Sequence, residues 1–283
     1  MDLNMEMYEF LGGQSTNETV RSYGVDLRQY RDITGWSLDR QSIILFRDTL
    51  LQKGLAPSSV ARKMSSVRSF VQFLRGQGKL NIDPFAGVKA PKVSVSEPTQ
   101  AFTDDEVRKM FKAAEKNPKP VDRERDLLVL AFLFYAGLRR SEIAYLRFND
   151  VLMIDNQLVL RIMGKGGKFR MIPAHPKLAE LLMPELAKSG TPFWPQNSER
   201  FLLQVSVSTI YAIVKKYAKM IGVTRNVSPH SCRATAISQL LENGESPRNV
   251  ADFAGHSSVN TTIGSYDKKR DGLKNSSAMK LKF

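Results

Sequence analysis

Apolar positions along most of the chain recur at helical spacing. Val20, Tyr23, Leu27 and Tyr30 follow one another at intervals of three and four, behind a Ser15–Glu18 pair with the spacing of a capping box. A second helix fits residues 37–53, and a third starts near Pro57, where Val60, Met64, Val67, Val71 and Leu74 form one apolar stripe. Thr103, followed by Asp104, Asp105 and Glu106, marks a further helix start, with a hydroxyl at the N-cap and acids on the first turn. Residues 127–136 are apolar on all sides, which predicts a buried helix ending at Gly137. The period then changes. LVLRIM (158–163) and KFRMIP (168–173), joined by the glycine-rich turn GKGG (164–167), predict a β-hairpin. The remainder reads helical, with breaks near Pro184, Pro192, Pro195, Pro229 and Pro247. The expected fold class is mainly α with a small β-sheet, an α+β arrangement.

The stretch PKVSVSEPTQ (91–100) interrupts this pattern with two prolines, two serines and a threonine. It reads as a linker between a helical domain at 1–90 and a second domain at 101–283; a surface loop inside one domain is the other reading. Charge is uneven across the first of these. Residues 1–52 carry five basic and eight acidic side chains, a net of −3, whereas 53–92 carry eight basic and one acidic, a net of +7.

The whole chain has a formal net charge of +14, which favours a polyanionic partner, and nucleic acid is the commonest one. On the third helix Arg62, Ser66 and Ser69 recur at i, i+4 and i+7, with Lys63 alongside. Small hydroxyls beside basic residues suit close approach to a phosphate backbone, and the same residues also fit an ordinary solvated helix face. Cys232 is the single cysteine, so an intrachain disulfide is excluded and a reducing, cytoplasmic setting is expected. The first ten residues hold three acids and no basic residue, unlike a secretory signal. The longest apolar run, Leu127 to Leu138, has 12 residues, too few to cross a bilayer core of about 30 Å. No membrane association is expected.

Four short segments carry candidate chemistry. In VSPHSCRATA (227–236), Ser228 and Pro229 open a helix, and His230 and Arg233 lie three apart on its first turn, an arrangement suited to a phosphodiester. In AGLRRSEI (136–143), Arg139 or Arg140 emerges from the buried helix with Glu142 as a partner. Lys165 sits at the glycine-flanked hairpin tip, where the backbone can approach another chain closely. FAGHSSVNTTIGSY (253–266) places His256 ten residues before Tyr266. A phenol becomes a nucleophile near neutral pH only where a base and nearby cations stabilise the phenolate.

Taken in order, these segments resemble the tyrosine recombinases of the phage integrase class. AGLRRSE is similar to that family's TGLRxSE box, GKGGKFRMIP to its GKGxKxRxVP hairpin, SPHSCRAT to its SPHxLRHT box, and AGHSS..TT...Y to its LGHxxxxTTxxY box. The resemblance extends over nearly the whole chain, the first domain being similar to the family's all-helical core-binding domain, and the layout is that of the compact Xer-like and transposon-borne types. Two departures stand out: the interval from His256 to Tyr266 is one residue longer than the family pattern, and Cys232 stands where a leucine is usual, as a small buried filler.

The resemblance implies a site-specific recombinase clamped around double-stranded DNA, acting as a homotetramer through a Holliday junction, with no metal and no other cofactor. Position by position it implies Arg139 and Arg233 on the non-bridging oxygens of the scissile phosphate, Lys165 protonating the leaving 5′-oxygen, and His230 as general acid or base. Lys168 is the substitute if the turn register is shifted. His256 would support the phosphate and Tyr266 would form the 3′-phosphotyrosyl bond, while Glu142 braces the arginines. Arg62, Lys63, Ser66 and Ser69 would contact DNA from the first domain. Two other readings share parts of the pattern: a type IB topoisomerase-like enzyme, and a DNA-binding protein that keeps the fold without the chemistry.

Overall fold

The computed structural model describes residues 2–14, 16–92, 100–164, 167, 169–188, 199–256 and 258–259. The chain divides into two units, Met1–Ser96 and Glu97–Phe283. Most of the expected 91–100 linker lies outside the described residues.

The first unit is helical: α1 (Leu3–Gly12), α2 (Asn17–Thr34), α3 (Arg40–Gln52) and α4 (Pro57–Gly76). Helix α1 is an element that the apolar pattern did not reveal; Asp2 caps it by accepting from the Asn4 N–H at 2.9 Å. Helix α2 is capped by Thr16, whose hydroxyl accepts from the Thr19 N–H, one residue later than the Ser15–Glu18 box expected; Ser15 itself lies outside the described residues. The α4 stripe is buried as expected, with Val60, Met64, Val67, Val71 and Leu74 packed among Leu27, Tyr30, Ile43, Phe46 and Leu50.

The other side of α4 departs from expectation. Asp26 of α2 is buried, and a buried carboxylate must be paired. It accepts from Arg62 Nη1 at 2.5 Å and Nη2 at 3.0 Å, from Lys63 Nζ at 2.9 Å and from Ser66 Oγ at 2.7 Å. Ser66 is therefore not a hydroxyl facing a phosphate: it is buried between α2 and α4. Ser69 donates to the Ser65 carbonyl at 3.0 Å. Burial alone would raise the Asp26 pKa, but the hydrogen bonds from Arg62, Lys63 and Ser66 outweigh it and hold the carboxyl below its ordinary value. A lowered folded-state pKa gives stability that is present above the unfolded value and is lost as pH falls through the folded one. Asp26→Asn is expected to cost about 1–3 kcal/mol near neutral pH. Urea unfolding of both proteins should show that deficit shrinking below about pH 4, where the unfolded carboxyl protonates; a deficit independent of pH would contradict the ion-paired reading.

The second unit opens on α5 (Asp104–Glu115), where Thr103 is the N-cap as expected, and Glu106 completes a capping box by reaching back to the Thr103 N–H. Helix α6 (Pro120–Tyr135) begins seven residues before the buried stretch read from the sequence, because Pro120 takes its first turn. Leu128 through Phe134 are all buried, so α6 is the axis around which the unit packs. After α7 (Arg140–Tyr145) and a 3₁₀ turn (Phe148–Asp150) comes a three-stranded antiparallel sheet, β1 (Val151–Ile154), β2 (Gln157–Met163) and β3 (Phe169–Pro173). The β2–β3 pair is the expected hairpin, with Ile162 opposite Arg170. Strand β1 is additional; Asp155 and Asn156, both at positive φ, turn it into β2.

Helix α8 (Pro176–Lys188) runs through Pro184 rather than breaking there. Pro184 lies on the exposed side, where water can hydrate the carbonyl its missing N–H leaves over. Pro192 and Pro195 lie outside the described residues. The remaining helices among the described residues are α9 (Val207–Met220), α10 (Pro229–Glu242) and α11 (Pro247–Ala254), the last two each starting on a proline. No helix among the described residues is long and apolar enough to cross a membrane.

Candidate active site

The site is built around the end of α11. Gly255 takes the left-handed conformation that terminates this helix, and the His256 N–H reaches back to the Ala251 carbonyl at 2.9 Å. The last carbonyls then point away from the helix with its negative dipole end behind them. Three arginines from three other elements take three successive carbonyls. Arg170 of β3 donates from Nε to Phe253 O at 3.1 Å, Arg233 of α10 donates to Ala254 O, and Arg139 at the start of α7 donates from Nη2 to Gly255 O at 2.9 Å. Arg233 also donates to Gly137 O, the carbonyl at the turn after α6.

One carboxylate holds two of these cations. Glu142 accepts from Arg139 Nη1 at 2.7 Å and from the Arg139 backbone N–H at 2.7 Å. It also accepts from Arg170 Nη1 and Nη2, both at 2.9 Å. Burial alone would raise its pKa; the bonds from Arg170 and Arg139 outweigh that and keep it ionised below the usual carboxylate range. The side chains are graded in depth: Arg139 is 35% exposed, Arg170 13% and Glu142 7%. Arg233 is buried, and desolvation together with the Arg139 charge lowers its pKa to about 10. Three guanidiniums against one carboxylate leave an excess of positive charge among the described residues, in a partly dry setting where it attracts an anion strongly.

Both histidines of the sequence reading belong to this neighbourhood. His230, on the first turn of α10, has its pKa lowered by desolvation and then by the charges of Arg233, Arg140 and Arg139. His256 is pushed down to about 4 by desolvation and by Arg233, Arg139 and Arg170. Both rings are therefore neutral near pH 7. Ser228 occupies the N-cap of α10 as expected, and Ser231 Oγ accepts its backbone N–H at 3.1 Å. Cys232 is the buried filler expected of it, its thiol pKa raised by burial. Of the two arginines in AGLRRSEI, Arg139 joins the cluster and Arg140 is exposed.

The structure thus brings together Arg139, Glu142, His230, Arg233 and His256. Lys165, its substitute Lys168, and Tyr266 lie outside the described residues. Arg62, Lys63, Ser66 and Ser69 belong to the other unit. Arg170 was missed, although its signal was legible: it is in phase with Ile172 on the core-facing side of β3, where a charge must find partners. No group of three or more His, Cys, Asp or Glu positioned to hold a metal occurs among the described residues.

The turn after α6 depends on glycine. Gly137 has φ of +58°, and a Cβ there would sit 2.7 Å from the Phe253 ring of α11. Gly137→Ala combines left-handed strain with a clash beneath the Arg233 acceptor, and should cost about 2–4 kcal/mol in chemical unfolding. A loss under about 0.5 kcal/mol, within the range of an ordinary surface change, would contradict this packing.

Comparison with known proteins places this geometry in a lineage. Residues 100–272 match the Phage integrase family, and residues 8–78 match its N-terminal SAM-like domain. The chain is 34% identical over 259 residues to a tyrosine recombinase from Pseudothermotoga lettingae, covering 87% of this chain and 86% of that protein. It is 29% identical over 262 residues to the tyrosine recombinase XerC of Thermodesulfovibrio yellowstonii, covering 87% and 84%. Among solved structures, a lambda integrase (75-356) dimer bound to a COC′ core site superposes with a TM-score of 0.73 at 16% identity, covering 95% of both chains. XerH site-specific recombinase in a post-cleavage complex with its difH substrate gives 0.72 at 15%, covering 92% of this chain and 79% of that one. At those identities the solved structures speak for the fold, and the family match and the Pseudothermotoga relative for descent: the chain belongs to the phage integrase family of tyrosine recombinases, enzymes that transfer DNA strands.

Proposed function

We propose that the arginine cluster at the end of α11 receives the scissile phosphate of duplex DNA, and that Tyr266 attacks it to give a 3′-phosphotyrosyl intermediate. The observation that carries this reading is the convergence of Arg139, Arg170 and Arg233 on three successive carbonyls beside two neutral histidines. Carbonyl oxygens are weak, neutral acceptors, and an incoming phosphate is a stronger one. Arg233's two carbonyl bonds use two of the five N–H donors of a guanidinium, and Arg139 is open enough to turn outward. Negative charge building on a pentacoordinate phosphorus is offset by these fixed cations. The phosphate raises the pKa of both imidazoles, which lets His230 exchange a proton with the nucleophile and His256 donate to a phosphoryl oxygen. Lys165 protonates the leaving 5′-oxygen, with Lys168 as its substitute. The covalent bond conserves the phosphodiester energy, so religation needs no nucleotide cofactor.

In this reading residues 1–90 bind the DNA flanking the cleavage site, with Arg62, Lys63 and Ser69 against phosphates, and the 91–100 linker joins them to the catalytic unit. The Asp26 pairing fixes the guanidinium of Arg62 while leaving half of that side chain open. Lambda integrase has been solved as a tetramer bound to a Holliday junction; the same assembly on two sites is proposed for this chain, in a cytoplasmic setting. The experiment is footprinting on DNA flanking the gene, followed by incubation with a supercoiled plasmid carrying two copies of the protected site. Deletion or inversion between the copies is the expected result. Relaxation of plasmids that lack the site would point instead to a topoisomerase, and protection without strand exchange to a binding protein.

A further inference from the structure

We propose that Arg170 is a positioning residue of the cleavage reaction, one that locks the hairpin strand β3, the Glu142 carboxylate and the end of α11 into a single frame. The inference rests on the proposed phosphate site and deepens it, since Arg170 is assigned no contact with the substrate.

Three features carry it. Arg170 bonds to two different elements at once: both terminal nitrogens grip Glu142 of α7, and Nε donates to Phe253 O of α11. Such a bidentate fork fixes both the distance and the orientation of its partner, which a lysine ammonium does not. Second, the carboxylate it grips is the one that orients Arg139, through both the Arg139 guanidinium and its backbone N–H. Arg170 therefore acts on Arg139 through one shared anion. Third, the guanidinium lies against Gly255, where a Cβ would come within 2.8 Å of Nη1 and 3.2 Å of Cδ. Gly255 is thus bare twice over, for its φ of +62° and for the arginine pressed on it, and the next residue is His256. Loss of the fork frees Glu142 to turn toward Arg139 alone and loosens the chain that presents His256. A displacement of about 1 Å in catalytic geometry costs on the order of 10²-fold in rate.

The test uses the full-length protein and a nicked duplex carrying the footprinted site, with Arg170→Lys and Arg170→Met compared with wild type. DNA affinity and single-turnover formation of the covalent adduct are measured separately, the latter at saturating DNA. Both variants are expected to keep the wild-type Kd within about threefold and to form adduct about 10²-fold more slowly. In a Glu142→Gln background the same Arg170→Met change is expected to cost under tenfold, because the two residues work as one unit. A second substrate carries a 5′-bridging sulfur at the scissile position, a leaving group that needs no proton. It is expected to leave the defect intact, since Arg170 works on the arginine side and not through the hairpin lysine.

Wild-type adduct rates in Arg170→Lys would overturn the proposal, as would rescue by the sulfur substrate or a loss of rate matched by a loss of affinity. Should Arg170→Met fail to fold, Arg170→Lys, which keeps the charge, decides alone. If wild type itself forms no adduct, the phosphate-site reading fails first; if wild type reacts and Arg170→Lys reacts equally fast, only the positioning role is lost.

Discussion

Arg233→Ala is expected to lower single-turnover DNA cleavage by roughly 10³-fold, about 4 kcal/mol of transition-state stabilisation, with DNA affinity within a few fold of wild type. The split follows from where the residue sits. Affinity for a duplex comes from many phosphate contacts spread over the surface, so losing one buried cation changes it little. In the proposed reaction the developing charge falls on a single phosphorus, and a guanidinium buried against Gly137 O and Ala254 O would act there in a low dielectric without needing to reorganise. Arg233→Lys should recover little, because a compact ammonium lacks the rigid planar fork with which a guanidinium spans two carbonyls and a phosphate. Single-turnover cleavage alongside a binding titration checks this. Equal losses in rate and affinity would mean that Arg233 serves binding alone.

The second large effect is on folding. Glu142→Ala removes the acceptor for both Arg139 and Arg170 and leaves two part-buried guanidiniums facing each other, with the Arg139 N–H also unpaired. Removing one partner of a buried ion pair costs about 3–5 kcal/mol. Urea unfolding at neutral pH should show a loss in that range, and a loss below about 1 kcal/mol would mean that water and the α11 carbonyls satisfy the arginines without the carboxylate. The double variant Glu142→Ala/Arg170→Met should be less destabilised than the sum of its parts, since it removes a charge left without its partner.

Much of this arrangement was legible in the sequence, for physical reasons that can be named. The α4 stripe, the Thr103 N-cap and the Ser228–Pro229 helix start are local signals, and each formed where its chemistry placed it. What escaped was decided by long-range packing or by weak local signals. The Asp155–Asn156 turn that adds β1 contains no glycine and reads poorly as a hairpin. Pro184 reads as a helix break, yet an exposed position lets the helix continue. Ser66 shares a helical face with Arg62 in projection, but α2 covers it and Asp26 claims its hydroxyl. In the site, Arg139, Glu142, His230, Arg233 and His256, which the family resemblance singled out, lie in one neighbourhood. Arg170 stands in the same hairpin segment as Lys165, but its partners, Glu142 and the Phe253 carbonyl, lie far from it along the chain. Its place among the core-facing positions of β3 was the available clue. No local pattern foretold that the three arginines would share the last carbonyls of α11, because that depends on where four separate elements meet.

In the proposed reaction these cations serve a tyrosine nucleophile. A nicked duplex carrying the footprinted site releases a short fragment on cleavage, which prevents religation and traps the covalent complex. Wild-type protein should accumulate a protein–DNA adduct that survives denaturation, with the 3′-phosphate mapped to Tyr266, and Tyr266→Phe should form none while binding the same DNA. An adduct that persists in Tyr266→Phe, or one that maps to another residue, would mean that Tyr266 is not the nucleophile.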